Sequence, residues 1–113
     1  MHEVAVIQNA VDMAVEQARL AGADRVVLLR LRVGTLSGIG RESLESAYQA
    51  VTRGTIVEGA RLEIETVTAA CWCARCRLEF ECDDYSSECP RCRTFSSELR
   101  RGRECELTSM EVS

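Results

Sequence analysis

The first twenty residues carry the spacing of an amphipathic helix. From Glu3 to about Leu20, apolar side chains recur every three or four positions, which places them on one face of an α-helix. Gly22 follows and is typical of a helix end. The sequence therefore predicts a first helix whose apolar face bears Val4, Ile7, Val11, Ala14 or Val15, and Ala18.

The next segment, Arg25 to Val33, alternates with a period of two and is rich in β-branched residues and leucine. Such alternation is typical of a strand that is buried on one face and exposed on the other. The segment predicts a half-buried strand with Arg30 and Arg32 on its polar side. Its apolar side is expected to bear Val27, Leu29, Leu31 and Val33.

Three further elements are predicted beyond the glycine-rich loop at 34–40. A second helix ends before Gly54, and a second strand runs from Leu62 to Thr68. A strand-like pattern resumes from Glu104 to Val112, in a segment too short to fold alone. The helix is indicated by the spacing of Leu44, Ala47, Tyr48 and Val51.

These elements predict an α+β fold that one chain segment interrupts. Two helices on one face of a three-stranded mixed sheet would bury a small core, formed by residues 1–70 and 104–113. Residues 71–103 break every periodicity and contain most of the cysteines, so they are predicted to form an inserted zinc-ribbon domain.

The four cysteines Cys73, Cys76, Cys89 and Cys92 stand in two pairs, each with two intervening residues, and twelve residues separate the pairs. A turn of this length points both sulfur atoms at one metal ion, while amide groups of the turn stabilise the thiolates. The pattern predicts one tetrahedral Zn(II) site. A closed four-sulfur shell leaves no position for water or substrate, so the zinc is expected to be structural.

Two other interpretations of the cysteine pairs remain open on spacing alone. Iron binds in the same four-thiolate geometry, and disulfides are the third alternative. Residues 1–20 contain no leader pattern, and no stretch approaches the ~20 apolar residues that span a bilayer, which favours a cytoplasmic protein with reduced thiols. Cys71 is interpreted as a flanking thiol, and Cys82 and Cys105 as small apolar side chains.

Charge and composition limit the functions that the chain can have. All 14 basic residues are arginine, and there is one histidine, so lysine chemistry is excluded and general bases are few. A zinc enzyme is disfavoured because the predicted four-sulfur site has no open coordination position and the chain offers no evident partner base. Residues 71–103 hold seven arginines against six acids, which disfavours a nucleic-acid-binding surface. A zinc-ribbon adaptor for nucleic acid or a protein assembly is nevertheless kept as the alternative function.

The single histidine is the second residue, in the sequence Met1-His2-Glu3. A lone histidine is usually a solvated or packed side chain. Here, however, the α-amine, the backbone nitrogen of His2 and its imidazole Nδ1 can form two fused chelate rings around one metal, with the Glu3 carboxylate adjacent. Nitrogen and oxygen donors suit Ni(II) or Cu(II). Because the affinity order favours copper, these ligands alone do not select nickel.

Taken together, these motifs resemble the HypA family of nickel metallochaperones. The resemblance runs from Met1 to Val112. It rests on the N-terminal triplet that opens a helix and on the loop Val33-Gly34-x-Leu-Ser37. It also rests on the run Cys71-Trp72-Cys73-x-x-Cys76, on Cys89-Pro90-x-Cys92 and on the Glu-containing last strand.

The resemblance implies a non-enzymatic protein that carries Ni(II) for the maturation of [NiFe]-hydrogenase and, in some bacteria, of urease. It implies a nickel site on Met1, His2 and Glu3, and a structural zinc on the two cysteine pairs. A HypB-like GTPase and a hydrogenase large-subunit precursor are the implied partners. One departure is Gly40, where many members of the family have a carboxylate. Glu42 can replace it only if the loop bends inward, and its expected role is instead to favour the helix N-terminus.

Overall fold

The computed structural model describes residues 2–113, and the side chains of residues 3–113. It contains two helices and eight strands in these described residues. The helices are α1 (His2–Leu20) and α2 (Arg41–Val51). The strands are β1 (Val26–Gly34), β2 (Arg61–Val67), β3 (Ala70–Cys73), β4 (Leu78–Glu81), β5 (Ser87–Glu88), β6 (Phe95–Ser96), β7 (Leu99–Arg101) and β8 (Cys105–Val112).

The chain divides into two compact units, which are described separately. The helix–sheet unit comprises Met1–Arg32, Ile39–Glu65 and Glu106–Ser113. The cysteine unit comprises Val33–Gly38 and Thr66–Cys105. Among the described helices, none is both long enough and apolar enough to cross a membrane.

Helix α1 ends as its sequence predicts. Gly22 adopts a φ of 71°, in the left-handed region that glycine tolerates. The N–H of Gly22 donates to the carbonyl of Arg19, and the N–H of Ala23 donates to that of Ala18. These two bonds satisfy carbonyl groups of the last turn, which have no partner within the helix. The predicted first helix and its end at Gly22 are confirmed, but Val4, predicted on the apolar face, is exposed.

Strand β1 lies in the centre of a three-stranded sheet, in the order β2-β1-β8. The guanidinium of Arg30 contacts Glu63 of β2, and that of Arg32 contacts Glu65. Because the partner number rises with the arginine number, β1 and β2 run parallel.

Strand β8 runs in the opposite direction. Arg30 also contacts Glu111, whereas Arg32 contacts Glu106, so here the partner number falls as the arginine number rises. Since one neighbour is parallel and the other antiparallel, the sheet is mixed, as the sequence predicted.

The core of the helix–sheet unit lies between the paired helices and the sheet. Leu29 and Leu31 of β1 are buried, and Leu44 of α2 is fully buried. Tyr48 of α2 is buried as well, and its hydroxyl donates to the carbonyl of Ala60 at 3.0 Å. Burial therefore raises the pKa of Tyr48 to about 12 without leaving its hydroxyl unpaired.

The predicted alternation along β1 is wrong at its beginning. Val27 is exposed, whereas Val26 and Leu28 on either side of it are buried. The N–H of Val26 donates to the carbonyl of Ile56, so the segment at 55–60 lies beside the start of the strand. From Leu29 onward the predicted alternation holds, with Leu29, Leu31 and Val33 buried and the two arginines between them half-buried.

The cysteine unit contains two small sheets. Strand β3 pairs antiparallel with both β4 and β7, and β5 pairs antiparallel with β6. Its core is a cluster of small and sulfur-containing side chains around one aromatic ring, consisting of Ala69, Cys71, Cys73, Phe80, Cys82 and Cys89. With so few apolar residues, this core is too small to stabilise such a unit by burial alone. A metal ion is the usual remedy in units of this size.

Candidate metal centre

Four cysteines from two separate turns meet at one point of the cysteine unit. Cys73 is the last residue of β3, and Cys76 lies in the turn between β3 and β4. Cys89 directly follows β5, and Cys92 lies in the turn before β6. The four sulfur atoms all lie within 4.8 Å of one another. The structure therefore brings together all four predicted zinc ligands.

The two turns have equivalent geometry. The N–H of Arg77 donates to the carbonyl of Cys73 at 2.7 Å, and that of Arg93 donates to Cys89 at 2.8 Å. Both arginines adopt a positive φ, 55° and 68° respectively. A residue with a Cβ adopts this conformation at a cost of about 1–2 kcal/mol. The same cost at equivalent positions of both turns indicates a shape imposed by a shared ligand.

The distances between the sulfur atoms suit a single ion. Cys73 Sγ lies 3.6 Å from Cys92 Sγ, and Cys89 Sγ lies 4.0 Å from Cys76 Sγ. A regular tetrahedron with Zn–S bonds of about 2.3 Å has edges of about 3.8 Å. A disulfide would require sulfur atoms about 2.05 Å apart, and all seven cysteines are free thiols. Disulfide pairing is thereby disfavoured relative to a metal site.

The surroundings shift the pKa values of three of these thiols in different directions. Hydrogen bonds from the side chain and backbone of Thr94 lower the pKa of Cys92 to about 6. The backbone N–H of Cys92 lowers the pKa of Cys89. By contrast, burial raises the pKa of Cys76 to about 12, and hydrogen bonds with the other thiols add to this effect. A dication at this point would have to displace the proton that Cys76 retains.

The first turn also supplies the amide donor expected from its spacing. The N–H of Cys76 donates to Cys73 Sγ at 3.4 Å. Cys73 and Cys89 are buried, at 3% and 0% exposure, while Cys76 and Cys92 are half-buried. The site is thus closed on the side of the apolar cluster.

The remaining cysteines lie outside this group of four. Cys71 is fully buried, and its thiol donates to Cys82 Sγ at 3.2 Å. Burial, and secondarily this hydrogen bond, raise the pKa of Cys71 to about 11. The close approach of these two sulfur atoms was missed from the sequence. The β3–β4 register would have indicated it, because it places both side chains on one face of the hairpin.

The predicted nickel site lies mostly outside the described residues. Met1 and the side chain of His2 are not described, and the main chain of His2 begins α1. Glu3 is in the first turn of that helix, and hydrogen bonding from its own backbone N–H, with a further contribution from that of Gly40, lowers its pKa. Glu3 and Glu42 also line one cavity of about 600 Å³. Glu42, in the first turn of α2, thus lies at the same cavity as Glu3.

Fold and site together define a small metal-binding protein in which an α+β unit is joined to a four-cysteine ribbon. A family model described as hydrogenase/urease nickel incorporation, metallochaperone, hypA matches residues 1–112. The hydrogenase maturation factor HypA of Picosynechococcus is 42% identical over 112 residues, covering 99% of each chain. That of Methylocella silvestris is 36% identical with the same coverage.

Solved structures support the same fold. The solution structure of the nickel metallochaperone HypA from Helicobacter pylori has a TM-score of 0.68 at 19% identity, covering 97% of this chain and 96% of that one. A second solution structure, also of a HypA protein, has a TM-score of 0.74 at 23% identity, covering 100% of this chain and 97% of that one. The chain belongs to the HypA family of nickel-incorporation metallochaperones. The predicted family and fold are confirmed, and the alternative of a nucleic-acid adaptor is not favoured.

Proposed function

We propose that this protein carries Ni(II) to a hydrogenase precursor and releases it there, without catalysing a reaction itself. The observation that carries the proposal is the match of the nickel-incorporation family to residues 1–112, a range that includes both predicted metal sites. Relatives with the same coverage are named hydrogenase maturation factors. The predicted partners are a HypB-like GTPase and the large-subunit precursor of a [NiFe]-hydrogenase, in the cytoplasm.

The proposed zinc site uses Cys73, Cys76, Cys89 and Cys92 as its ligands. The match between their sulfur distances and a tetrahedron of thiolates supports this assignment. Zn(II) would supply no catalytic step there, because four protein ligands leave no open position. Its contribution would be to folding, since the binding free energy of such a site becomes folding free energy.

The proposed nickel site uses the α-amine of Met1, the backbone and imidazole nitrogens of His2, and the carboxylate of Glu3. The place of Glu3 in the first turn of α1, one residue after His2, supports this role, because its carboxylate lies next to the proposed nitrogen ligands in the chain. A site with few donors at a helix start also suits a carrier, which has to give up its ion. We assign Glu42 no ligand role, although its place in the cavity with Glu3 makes it the side chain to test next.

A nickel titration with matched variants tests this proposal. Isothermal titration of the zinc-loaded protein should show one Ni(II) site, and His2→Ala should abolish that site while zinc content stays at one ion per chain. Glu42→Gln should leave the affinity unchanged within a factor of about two, because we place that carboxylate outside the coordination sphere. In cells, His2→Ala should fail to restore hydrogenase activity to a strain that lacks its own copy of this protein.

Two results would count against the proposal. Equal nickel affinity in the native and His2→Ala proteins would remove the N-terminal site. Full hydrogenase activity with the His2→Ala variant as the only copy would show that the protein does not deliver nickel through this site.

The alternative function is tested separately. Nucleic acid added at equimolar concentration should not bind to the protein, and fluorescence anisotropy with a labelled duplex would show this.

A further inference from the structure

Two cysteines that the proposed function does not use are placed together in the cysteine unit. The thiol of Cys71 donates to Cys82 Sγ at 3.2 Å, a shorter distance than the 3.6 Å and 4.0 Å between sulfur atoms of the four-cysteine group. The pair is therefore the closest approach of two thiols among the sulfur contacts of the described residues.

The strand register explains the approach. In the β3–β4 hairpin, Cys71 lies opposite Phe80. Cys82 lies two residues beyond Phe80, and its N–H donates to the carbonyl of Ala69, so the hairpin pairing continues to that point. Side chains two positions apart share a face, which puts Cys82 diagonally across from Cys71. The pair is thus set by the register of the hairpin.

The environment of the pair is apolar. Both thiols belong to the buried cluster that contains Ala69 and Phe80. Cys71 is 0% exposed and Cys82 is 7% exposed. A disulfide needs its sulfur atoms about 2.05 Å apart, so the 3.2 Å between these two requires only a small side-chain movement. The arrangement therefore suits a bond between the two thiols.

We propose that Cys71 and Cys82 are an oxidisable dithiol, a modification site separate from the metal ligands. This inference goes beyond nickel delivery, and it does not depend on the N-terminal site. The oxidant is a small peroxide, and Cys82 reacts first because it is the more exposed of the two thiols. The bridge uses none of the four cysteines of the two turns, so the zinc content should not change when it forms.

The reaction balances as follows. The sulfur of Cys82 attacks one peroxide oxygen, an S–O bond forms, the O–O bond breaks, and the thiol proton leaves with the second oxygen as water. The sulfur of Cys71 then attacks that of Cys82, an S–S bond forms, and the S–O bond breaks. The departing hydroxide takes the Cys71 proton and becomes a second water. The two thiols lose two electrons in total, and hydrogen peroxide accepts them.

The bridge would have a structural consequence for the metal site. It would close a loop from Cys71 to Cys82 that contains Cys73 and Cys76, which are two of the four proposed zinc ligands. A cross-link of this kind lowers the conformational entropy of the unfolded ribbon more than that of the folded ribbon, and so favours the folded form. We therefore expect the oxidised protein to lose zinc to a chelator several-fold more slowly than the reduced protein.

Peptide mapping of the zinc-loaded full-length protein tests the proposal. The protein is treated with hydrogen peroxide, alkylated, and digested with trypsin and chymotrypsin under non-reducing conditions. Chymotrypsin cleaves after Trp72 and Tyr85, which separates Cys71 from Cys73 and Cys82 from Cys89. We expect one linked pair of peptides joining Cys71 to Cys82, a loss of two hydrogens in the intact mass, an unchanged zinc content, and full reversal by dithiothreitol.

Matched variants complete the experiment. Cys105→Ser should form the bridge as the native protein does, whereas Cys82→Ser should retain zinc and form none. If Cys82→Ser does not fold, the mapping of the native protein decides alone. The proposal would be overturned if disulfides formed first among the four zinc-site cysteines, with release of zinc, and a Cys71–Cys82 bridge had not yet appeared. Equal rates of zinc loss in the oxidised and reduced proteins would show that the bridge does not slow the release of zinc.

Discussion

Gly34 lies so close to the carbonyl group of Gly102 that it has no room for a side chain. A Cβ at Gly34 would overlap the carbonyl group of Gly102, and a Cβ at Gly102 would lie 2.5 Å from the Cβ of Ala69. The two chain segments are also joined by a hydrogen bond, in which the N–H of Leu36 donates to the carbonyl of Gly102 at 2.7 Å. The close approach explains why the Val33-Gly34 sequence precedes this loop.

Gly34→Ala should therefore destabilise the protein strongly. The atoms that a new methyl group would meet belong to the backbone, so relief requires the main chain to move, at a cost of about 3 kcal/mol. Gly40→Ala is the matched control, because a Cβ there would meet only the Ser43 hydroxyl, at 3.7 Å. Urea denaturation of both variants measures the difference. A cost for Gly34→Ala no larger than that for Gly40→Ala would contradict the packing described.

The four-cysteine group should determine the folding of the cysteine unit. Replacing any of its members by serine should remove zinc and unfold this unit, because structural zinc contributes on the order of 10 kcal/mol to such folds. Zinc content by atomic absorption and amide NMR of the unit would show both losses. Cys105→Ser should keep one zinc per chain. Zinc retained in Cys76→Ser but lost in Cys105→Ser would refute the ligand assignment.

Nickel binding should weaken on acidification. A protonated imidazole cannot bind a metal, so nickel should be released as the pH falls through the ordinary titration range of histidine, near pH ~6.5. Titrations at steps between pH 7.5 and 5.5, with zinc content measured at each step, test the role of His2. An affinity that does not change across this range would exclude the imidazole from the site.

An added residue before Met1 should weaken nickel binding if the α-amine is a ligand. An uncleaved N-terminal glycine moves that amine away from His2 but leaves both side chains and the zinc site in place. We expect lower Ni(II) affinity and loss of hydrogenase maturation in cells. A glycine added after Ser113 is the control and should change neither. If both extended forms titrate like the native protein, only the side chains bind nickel.

The ion pair between Arg30 and Glu63 should stabilise the protein in a pH-dependent way. Their 2.9 Å contact lowers the pKa of Glu63, chiefly through the hydrogen bond from Arg30. The stabilisation is therefore present above the ordinary pKa of 4.5 and is lost as the pH falls through the lowered value in the folded protein. Glu63→Gln should be less stable than the native protein at pH 7, and the difference should shrink as the pH falls below 4.5.

Urea denaturation followed by helix circular dichroism measures this difference, since guanidinium would screen the charges. Glu65→Gln is the matched control, because its contact with Arg32 is longer, at 3.4 Å. It should show a smaller difference at pH 7. A difference for Glu63→Gln that persists unchanged at pH 3 would show that something other than the ion pair causes it.

Local patterns predicted most of the fold. Both helices and the three long strands follow from periodicity, and the order of Arg30 and Arg32 on the polar side of β1 is as expected. The burial of Val26 and Leu28 could not be predicted, because it depends on tertiary packing, which the alternation within one strand does not reveal. The four-cysteine group was predictable because its spacing is local. The approach of Cys71 to Cys82 depends on strand register, which the sequence of a short hairpin does not reveal.

The order of elements along the chain bears on how the sheet is completed. All four proposed zinc ligands lie between Cys73 and Cys92, whereas the sheet is completed only by β8, which follows the ribbon. The pairing of β8 with β1 therefore joins residues as remote in sequence as Arg30 and Glu111, which are 81 positions apart. A folded ribbon shortens the flexible connection between β2 and β8, and a shorter connection lowers the entropy cost of bringing the last strand to the sheet. A shortage of zinc would then weaken the pairing that completes the sheet as well as the ribbon itself.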